Sequence, residues 1–266
     1  MRQANDPIGV FDSGIGGLTV VKEIINTLPN ESIIYLGDTA RVPYGTRGKA
    51  VIKKFALELA KYLISKKVKI LVVSCNTISA TCLKAITEIS PVPVIGVVEP
   101  AVSLAVKTSK NQKIGVIGTQ ATVDSKIYEK EIKKILPEAS VYTKSGSLFV
   151  PLVEEGLNNH FATWQIAKEY LDGFKSTGID TLILGCTHFP LLTDVIQDIV
   201  GPDVTLVDSA KPTAGVLKQK LEELNLLNKG NHFIKILVTD APSRVNKVAG
   251  NFFGNHLPVK PAKITL

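Results

Sequence analysis

"LVVSCNT", Leu71–Thr77, is an apolar run that closes on a small residue, then a cysteine, then two polar residues. The same form returns in the second half of the chain as "LILGCTH", Leu182–His188. Short apolar runs bounded by polar or glycine residues read as strands buried on both faces, the kind found in parallel sheets. Each cysteine therefore stands just past the carboxyl end of such a strand. The repetition extends outward: "IGVFDSG" (Ile8–Gly14) precedes the first run and "IGVIGTQ" (Ile114–Gln120) the second. Helix patterns fill the gaps, as in Lys49–Lys66, where Ile52, Phe55, Ala56, Leu59 and Leu63 fall at helical spacing.

Strands alternating with amphipathic helices define an α/β fold with a mostly parallel sheet. The weak internal repeat predicts two similar parallel-sheet α/β units facing each other across a cleft. Residues 1–98 with 210–266 are expected to form the first unit and 99–209 the second, the chain returning to its first unit after Asp208. Single helices are expected over Val123–Leu136 and Ala241–Gly254. In such sheets ligands sit at the carboxyl ends of the strands.

Of the 266 residues, 45% are hydrophobic and 21% charged, enough apolar material for a sizeable core. No apolar run is long enough to span a bilayer and the N-terminus lacks a signal-peptide pattern, so a cytoplasmic location is expected. A net charge of +7 raises the question of a nucleic-acid partner. The lysines, however, are spread over many helix faces and are not interleaved with aromatics, so a solvated surface is expected instead. Three widely spaced cysteines without a CxxC pair argue against both disulfides and a zinc site. Free thiols are expected, and no metal.

Cys75 precedes an expected helix starting near Asn76, where the helix dipole favours a thiolate. Cys186 has Thr187 and His188 beside it, and an imidazole there can assist ionisation. A single strand-end cysteine is most simply a small core hydrophobe; two at matching places of a repeat point to chemistry. Cys82 falls in an apolar helix stripe and is assigned to the core. The loop "DSGIGG" (Asp12–Gly17) breaks the G-x-G-x-x-G pattern and has no P-loop lysine, though its glycines allow backbone N–H groups to approach an anion. Asp12 either caps the next helix or orients a neighbouring group. Ser13 lacks the G-x-S-x-G setting of a hydrolase nucleophile. Glu154 lies in a predominantly apolar run and is a structural or a tuned acid, whereas Glu155 looks exposed. Thiols on opposite sides of one cleft suit stereoinversion, in which one thiolate removes the proton from a carbon and the opposite thiol returns one to the other face. Asn76, Thr77 and Thr187 offer hydrogen bonds to the charge that develops on the substrate carboxylate.

The pieces "GVFDSGIGG", "YLGDTARVPYG", "SCNT", "GVIGT", "PLVEEG", "GCTHFPLL" and "LVDSA" occur in order over about residues 8 to 210. In these the chain resembles the cofactor-independent aspartate/glutamate racemase family. The resemblance implies that family's pseudo-symmetric two-unit fold and a glutamate racemase activity that needs no metal or pyridoxal phosphate. It makes Cys75 and Cys186 the paired catalytic acid/bases, assisted or oriented by Asp12, Glu154 and His188. It places Asp12, Ser13, Tyr44, Gly45, Asn76, Thr77, Thr119, Thr187 and His188 at the glutamate site. It further implies D-glutamate for peptidoglycan synthesis in a bacterial cytoplasm, and a homodimer. An aspartate racemase sharing the two cysteines stays open at this point, as does a binding role for the basic surface.

Overall fold

The computed structural model describes residues 2–243, 245–246 and 259–262. The first half alternates strand and helix: β1 (Ile8–Asp12), α1 (Leu18–Thr27), β2 (Ile33–Gly37), α2 (Lys49–Ser65), β3 (Ile70–Val73), α3 (Asn76–Ile89), β4 (Val94–Gly96) and α4 (Val98–Thr108). The second half repeats the scheme with β5 (Lys113–Gly118), α5 (Gln120–Asp124), α6 (Ile127–Ile135), β6 (Ser140–Ser145), α7 (Phe149–Glu154), α8 (Phe161–Lys175) and β7 (Thr181–Gly185). A 3-10 turn at Phe189–Leu192, α9 (Thr193–Val200) and β8 (Thr205–Val207) complete it. α10 (Ala210–Glu223), β9 (Ile234–Val238) and β10 (Val259–Pro261) follow.

One sheet has the order β10-β9-β2-β1-β3-β4 and the other β6-β5-β7-β8, with every pairing parallel. With β1 matched to β5 and β3 to β7, the order β2-β1-β3-β4 is repeated in β6-β5-β7-β8. The internal repeat in the sequence is thus two copies of one sheet topology, and the α/β expectation holds. β1 and β3 are buried throughout. Side chains alternate along them: Ile8 and Val10 join the core under α1 and α10, while Phe11 joins the core under α2 and α3. Helices therefore cover both faces, which is why these strands carry continuous apolar runs.

After β8 the chain returns to the first sheet. Ala210, Ala214, Leu217 and Leu221 of α10 pack with Leu18, Val21 and Ile24 of α1, and β9 pairs with β2 in the register Ile33↔Ile234. A buried ion pair fastens the same region. Lys69 Nζ reaches Glu31 Oε2 and the Ala4 carbonyl at 2.5 Å each and the Leu226 carbonyl at 2.7 Å. Glu31 Oε1 accepts the Asn228 N–H at 2.8 Å, so both charges are hydrogen-bonded as well as paired.

Local readings differ in three places. The expected helix over Val123–Leu136 is two helices, α5 and α6, broken where Lys126 adopts the left-handed φ of 54°. Ser125 stabilises that break by donating to the Thr122 carbonyl and accepting the Ile127 N–H. Phe55 is only half-buried, because it turns toward Tyr44 and lies under the Arg41 guanidinium, and Ala60, on the other flank of the stripe, is buried. α3 is irregular at Cys82 (φ −146°, ψ 17°), where Thr81 and Cys82 both bond back to carbonyls one turn earlier. Cys82 is nonetheless in the core. Finally, the helix expected over Ala241–Gly254 lies for the most part outside the described residues.

Candidate active site

Four parallel strands deliver the polar residues. Asp12 ends β1, Cys75 follows β3 at the start of α3, Thr119 follows β5, and Cys186 follows β7. The carboxyl ends of the two sheets face each other, and between them lies a cavity of about 330 Å³. Cys75 and Cys186 both line it. So does every other site residue expected from the sequence except Asp12, which stands one layer behind. A wider groove of about 790 Å³ runs beside Cys82 between α2, α3, α4 and α6, but none of the strand-end residues reaches it.

Asp12 does not cap α1. Its Oδ1 accepts from Ser13 Oγ and the Gly14 N–H at 3.0 Å each, and Thr187 Oγ1 donates to its Oδ2 at 3.3 Å across the cleft. The Gly14 N–H is thereby spent inside the loop rather than on an anion. Ser13 Oγ in turn lies 3.4 Å from Cys75 Sγ. The helix dipole that favours a thiolate at Cys75 is outweighed in the folded chain. Burial pushes the thiol well above its ordinary value and the Asp12 charge pushes it further, outweighing the bond to Ser13 and the backbone N–H groups.

The Cys186 side is built differently. His188 Nδ1 lies 3.9 Å from Cys186 Sγ, and His188 Nε2 lies 3.3 Å from Glu154 Oε1, off the line of a hydrogen bond. Burial by itself would lower the imidazole pKa. The Cys186 and Glu154 contacts and charges overcome that and bring it to about 10. At neutral pH the ring is therefore a cation wedged between the Cys186 sulfur and a half-buried carboxylate. Glu155, next to it, faces outward.

Hydroxyls and tight backbone contacts join the two units around the cavity. Thr77 Oγ1 is hydrogen-bonded to Thr119 Oγ1 at 2.9 Å, and Thr119 Oγ1 to Thr122 Oγ1 at 3.0 Å. The Gly45 carbonyl accepts the Ala121 N–H at 2.9 Å, and a Cβ on Gly45 would fall 2.7 Å from Thr119 Cβ, so that loop reaches the second unit only as glycine. Tyr44 is held from behind by a buried network absent from the sequence reading. Its hydroxyl donates to Asp38, which also pairs with Arg41 Nε at 2.6 Å, while Arg41 bridges to Glu58. The "DTARVPYG" stretch contains Asp38 and Arg41 and the following helix Glu58, but nothing in their spacing says that they meet. Among the described residues no group of His, Cys, Asp and Glu is arranged to hold a metal ion, and no helix is long and apolar enough to cross a membrane.

Residues 8–216 match the model of the Asp/Glu/Hydantoin racemase family. A glutamate racemase of Persephonella marina is 49% identical, with 97% of each chain covered. Among solved structures, glutamate racemase isoform RacE1 of Bacillus anthracis superposes with a TM-score of 0.96 at 38% identity, covering 98% of this chain and 99% of that one. The Francisella tularensis glutamate racemase in complex with D-glutamate superposes with a TM-score of 0.93 at 42% identity, covering 98% of both. Fold and site together define the class: an isomerase of the racemase type, made of two facing α/β units. Within that class the chain belongs to the Asp/Glu/Hydantoin racemase family.

Proposed function

We propose that this protein interconverts L-glutamate and D-glutamate by proton transfer at Cα between Cys75 and Cys186. The observation that carries the reading is the pair of thiols, delivered by equivalent strands of two sheets into one cavity of about 330 Å³. The names of the relatives, at up to 49% identity over nearly the whole chain, support glutamate as the substrate.

One sulfur, as thiolate, takes the Cα proton, and the electron pair left behind spreads into the substrate carboxylate. The opposite thiol then delivers its own proton to the other face, and the two sulfurs have exchanged protonation states. Burial and Asp12 keep a proton on Cys75, which suits it to begin as the acid. The imidazolium of His188 beside Cys186 suits a negative charge on that sulfur, with Glu154 holding the ring. In the reverse direction the roles change over. Ser13, Tyr44, Gly45, Asn76, Thr77, Thr119, Thr187 and His188 bind the substrate, and Asp12 orients Ser13 and Thr187. Fixed donors of this kind stabilise the developing charge without reorganisation. The same reading takes residues 1–98 with 210–266 as one domain and 99–209 as the other, in a homodimer that supplies D-glutamate for peptidoglycan synthesis in the cytoplasm. The place of β9 in the first sheet and of β5 to β8 in the second supports that division.

The test is α-proton exchange in heavy water followed by NMR, with reduced protein and no added cofactor. Exchange with inversion of glutamate is expected. Exchange of aspartate in its place would overturn the substrate, and exchange of neither would overturn the reaction.

A further inference from the structure

Resting on that reading, we propose that Tyr128 and Ser209 are positioning residues that fix the Asn76 amide in the cavity wall. Asn76 directly follows Cys75 and is buried. Its Nδ2 donates to Tyr128 Oη at 2.8 Å and to Ser209 Oγ at 3.3 Å, so both amide hydrogens are committed. Asn76 Oδ1 is buried with no hydrogen-bond partner among the described residues. A buried acceptor left unpaired is costly, and here it belongs to a side chain that lines the substrate cavity. The amide thus carries unused accepting capacity at the cavity wall, in an orientation set by two hydroxyls.

Those hydroxyls come from a distance in the chain. Tyr128 is on α6 of the second unit, packed with Val98, Ala101 and Val102 of α4 and Ile183 of β7. Its ring lies against the Gly185 backbone: a Cβ there would fall 3.2 Å from Tyr128 Cε2. Gly185 immediately precedes Cys186. One tyrosine therefore touches the residue before one thiol and holds the residue after the other. Burial raises the phenol pKa, and negative charge on Cys186 or Cys75 would raise it further, in keeping with a place beneath both sulfurs. Ser209 begins α10, where the chain crosses back to the first sheet. The Asn76 amide is therefore referenced to the second unit although Asn76 belongs to the first.

The experiment compares wild type, Tyr128→Phe, Ser209→Ala, Asn76→Ala and the Tyr128→Phe/Asn76→Ala double variant in glutamate racemisation, with thermal melts alongside. Tyr128→Phe keeps the ring and removes the hydroxyl. It is expected to raise KM about tenfold, with kcat within about threefold of wild type, because binding lost equally in ground and transition states appears in KM. Ser209→Ala is expected to raise KM about threefold, the longer bond being the weaker. In the Asn76→Ala background the Tyr128→Phe effect is expected to vanish, the mark of action through that amide. A wild-type KM in Tyr128→Phe, or the same tenfold rise on top of Asn76→Ala, overturns the proposal while leaving the racemase reading intact. A wild-type protein that racemises no glutamate overturns the racemase reading, and this one with it.

Discussion

Gly16 of the first unit stands tight against Thr187 and His188 of the second. A Cβ at this position would lie 2.3 Å from Thr187 Oγ1 and 2.6 and 2.7 Å from His188 Nδ1 and Cε1. Ordinary contact begins at 3.4 Å, so Gly16→Ala demands that Thr187 and His188 retreat, or that the loop before α1 does. Neither side yields freely. Thr187 is β-branched and bonded to Asp12, and the His188 ring is fixed between Cys186 and Glu154. The displacement is about 1 Å, and a misplacement of that size at a reacting group costs roughly a hundredfold in rate, or about 2.7 kcal/mol of barrier. Racemisation followed by circular dichroism from each enantiomer is expected to show kcat/KM down about a hundredfold in both directions. Gly215→Ala is the control: it lies in α10 with nothing within 4 Å, and is expected to keep the rate and add about 0.5–1 kcal/mol of stability. A Gly16→Ala enzyme within threefold of wild type and equally stable would refute the inference that this contact sets the Cys186 side.

Cys75→Ala and Cys186→Ala are each expected to reduce racemisation to background, whereas Cys82→Ala stays within about threefold because its thiol only fills core space beside α3; the same rate assay decides. His188 is raised in the folded state, to about 10, above its unfolded value near 6.5. Its contribution to stability is therefore complete below about pH 6.5 and lost as pH climbs through 10. Urea unfolding across that window should show a steeper decline for wild type than for His188→Asn, and parallel curves would contradict the assignment. Lys69→Ala strands the Glu31 carboxylate in the core and is expected to cost about 3–5 kcal/mol. Lys69→Met/Glu31→Leu should cost much less, and a denaturant titration of the two separates them.

The fold was legible because its signals are local and doubled. The runs that became β3 and β7, each with a cysteine just beyond, needed only apolar continuity and a polar stop to be read. A strand is legible in "HFIKILVTD", but its return to the first sheet beside β2 is not written there and rests on the resemblance. Cys75 and Cys186 stand out because each lies just past a strand end, whereas Tyr44 and Gly45 reach the cavity from a loop and are named through the resemblance. Residues that act from behind could not. Tyr128 sits in "SKIYEKEIKK", where charged neighbours make it look like the edge of a solvated helix, and only the break at Lys126 turns it inward. Asp38, Arg41 and Glu58 are ordinary charges until α2 brings Glu58 over the loop. The net direction of the Cys75 shift is hidden for the same reason. A helix N-terminus is visible in sequence, but the depth of burial and the bearing of Asp12 are tertiary facts.

The place of β9 also orders events during synthesis. The strands of the second sheet all lie within residues 113–207, so every one of them has its neighbours as soon as β8 leaves the ribosome. β2 waits longer, since its outer partner begins at Ile234. Throughout that interval its backbone N–H and C=O groups form an unpaired edge of five buried-type residues, "IIYLG", a template for strands of other nascent chains. The edge of β2 is thus covered only after the whole second sheet has been made.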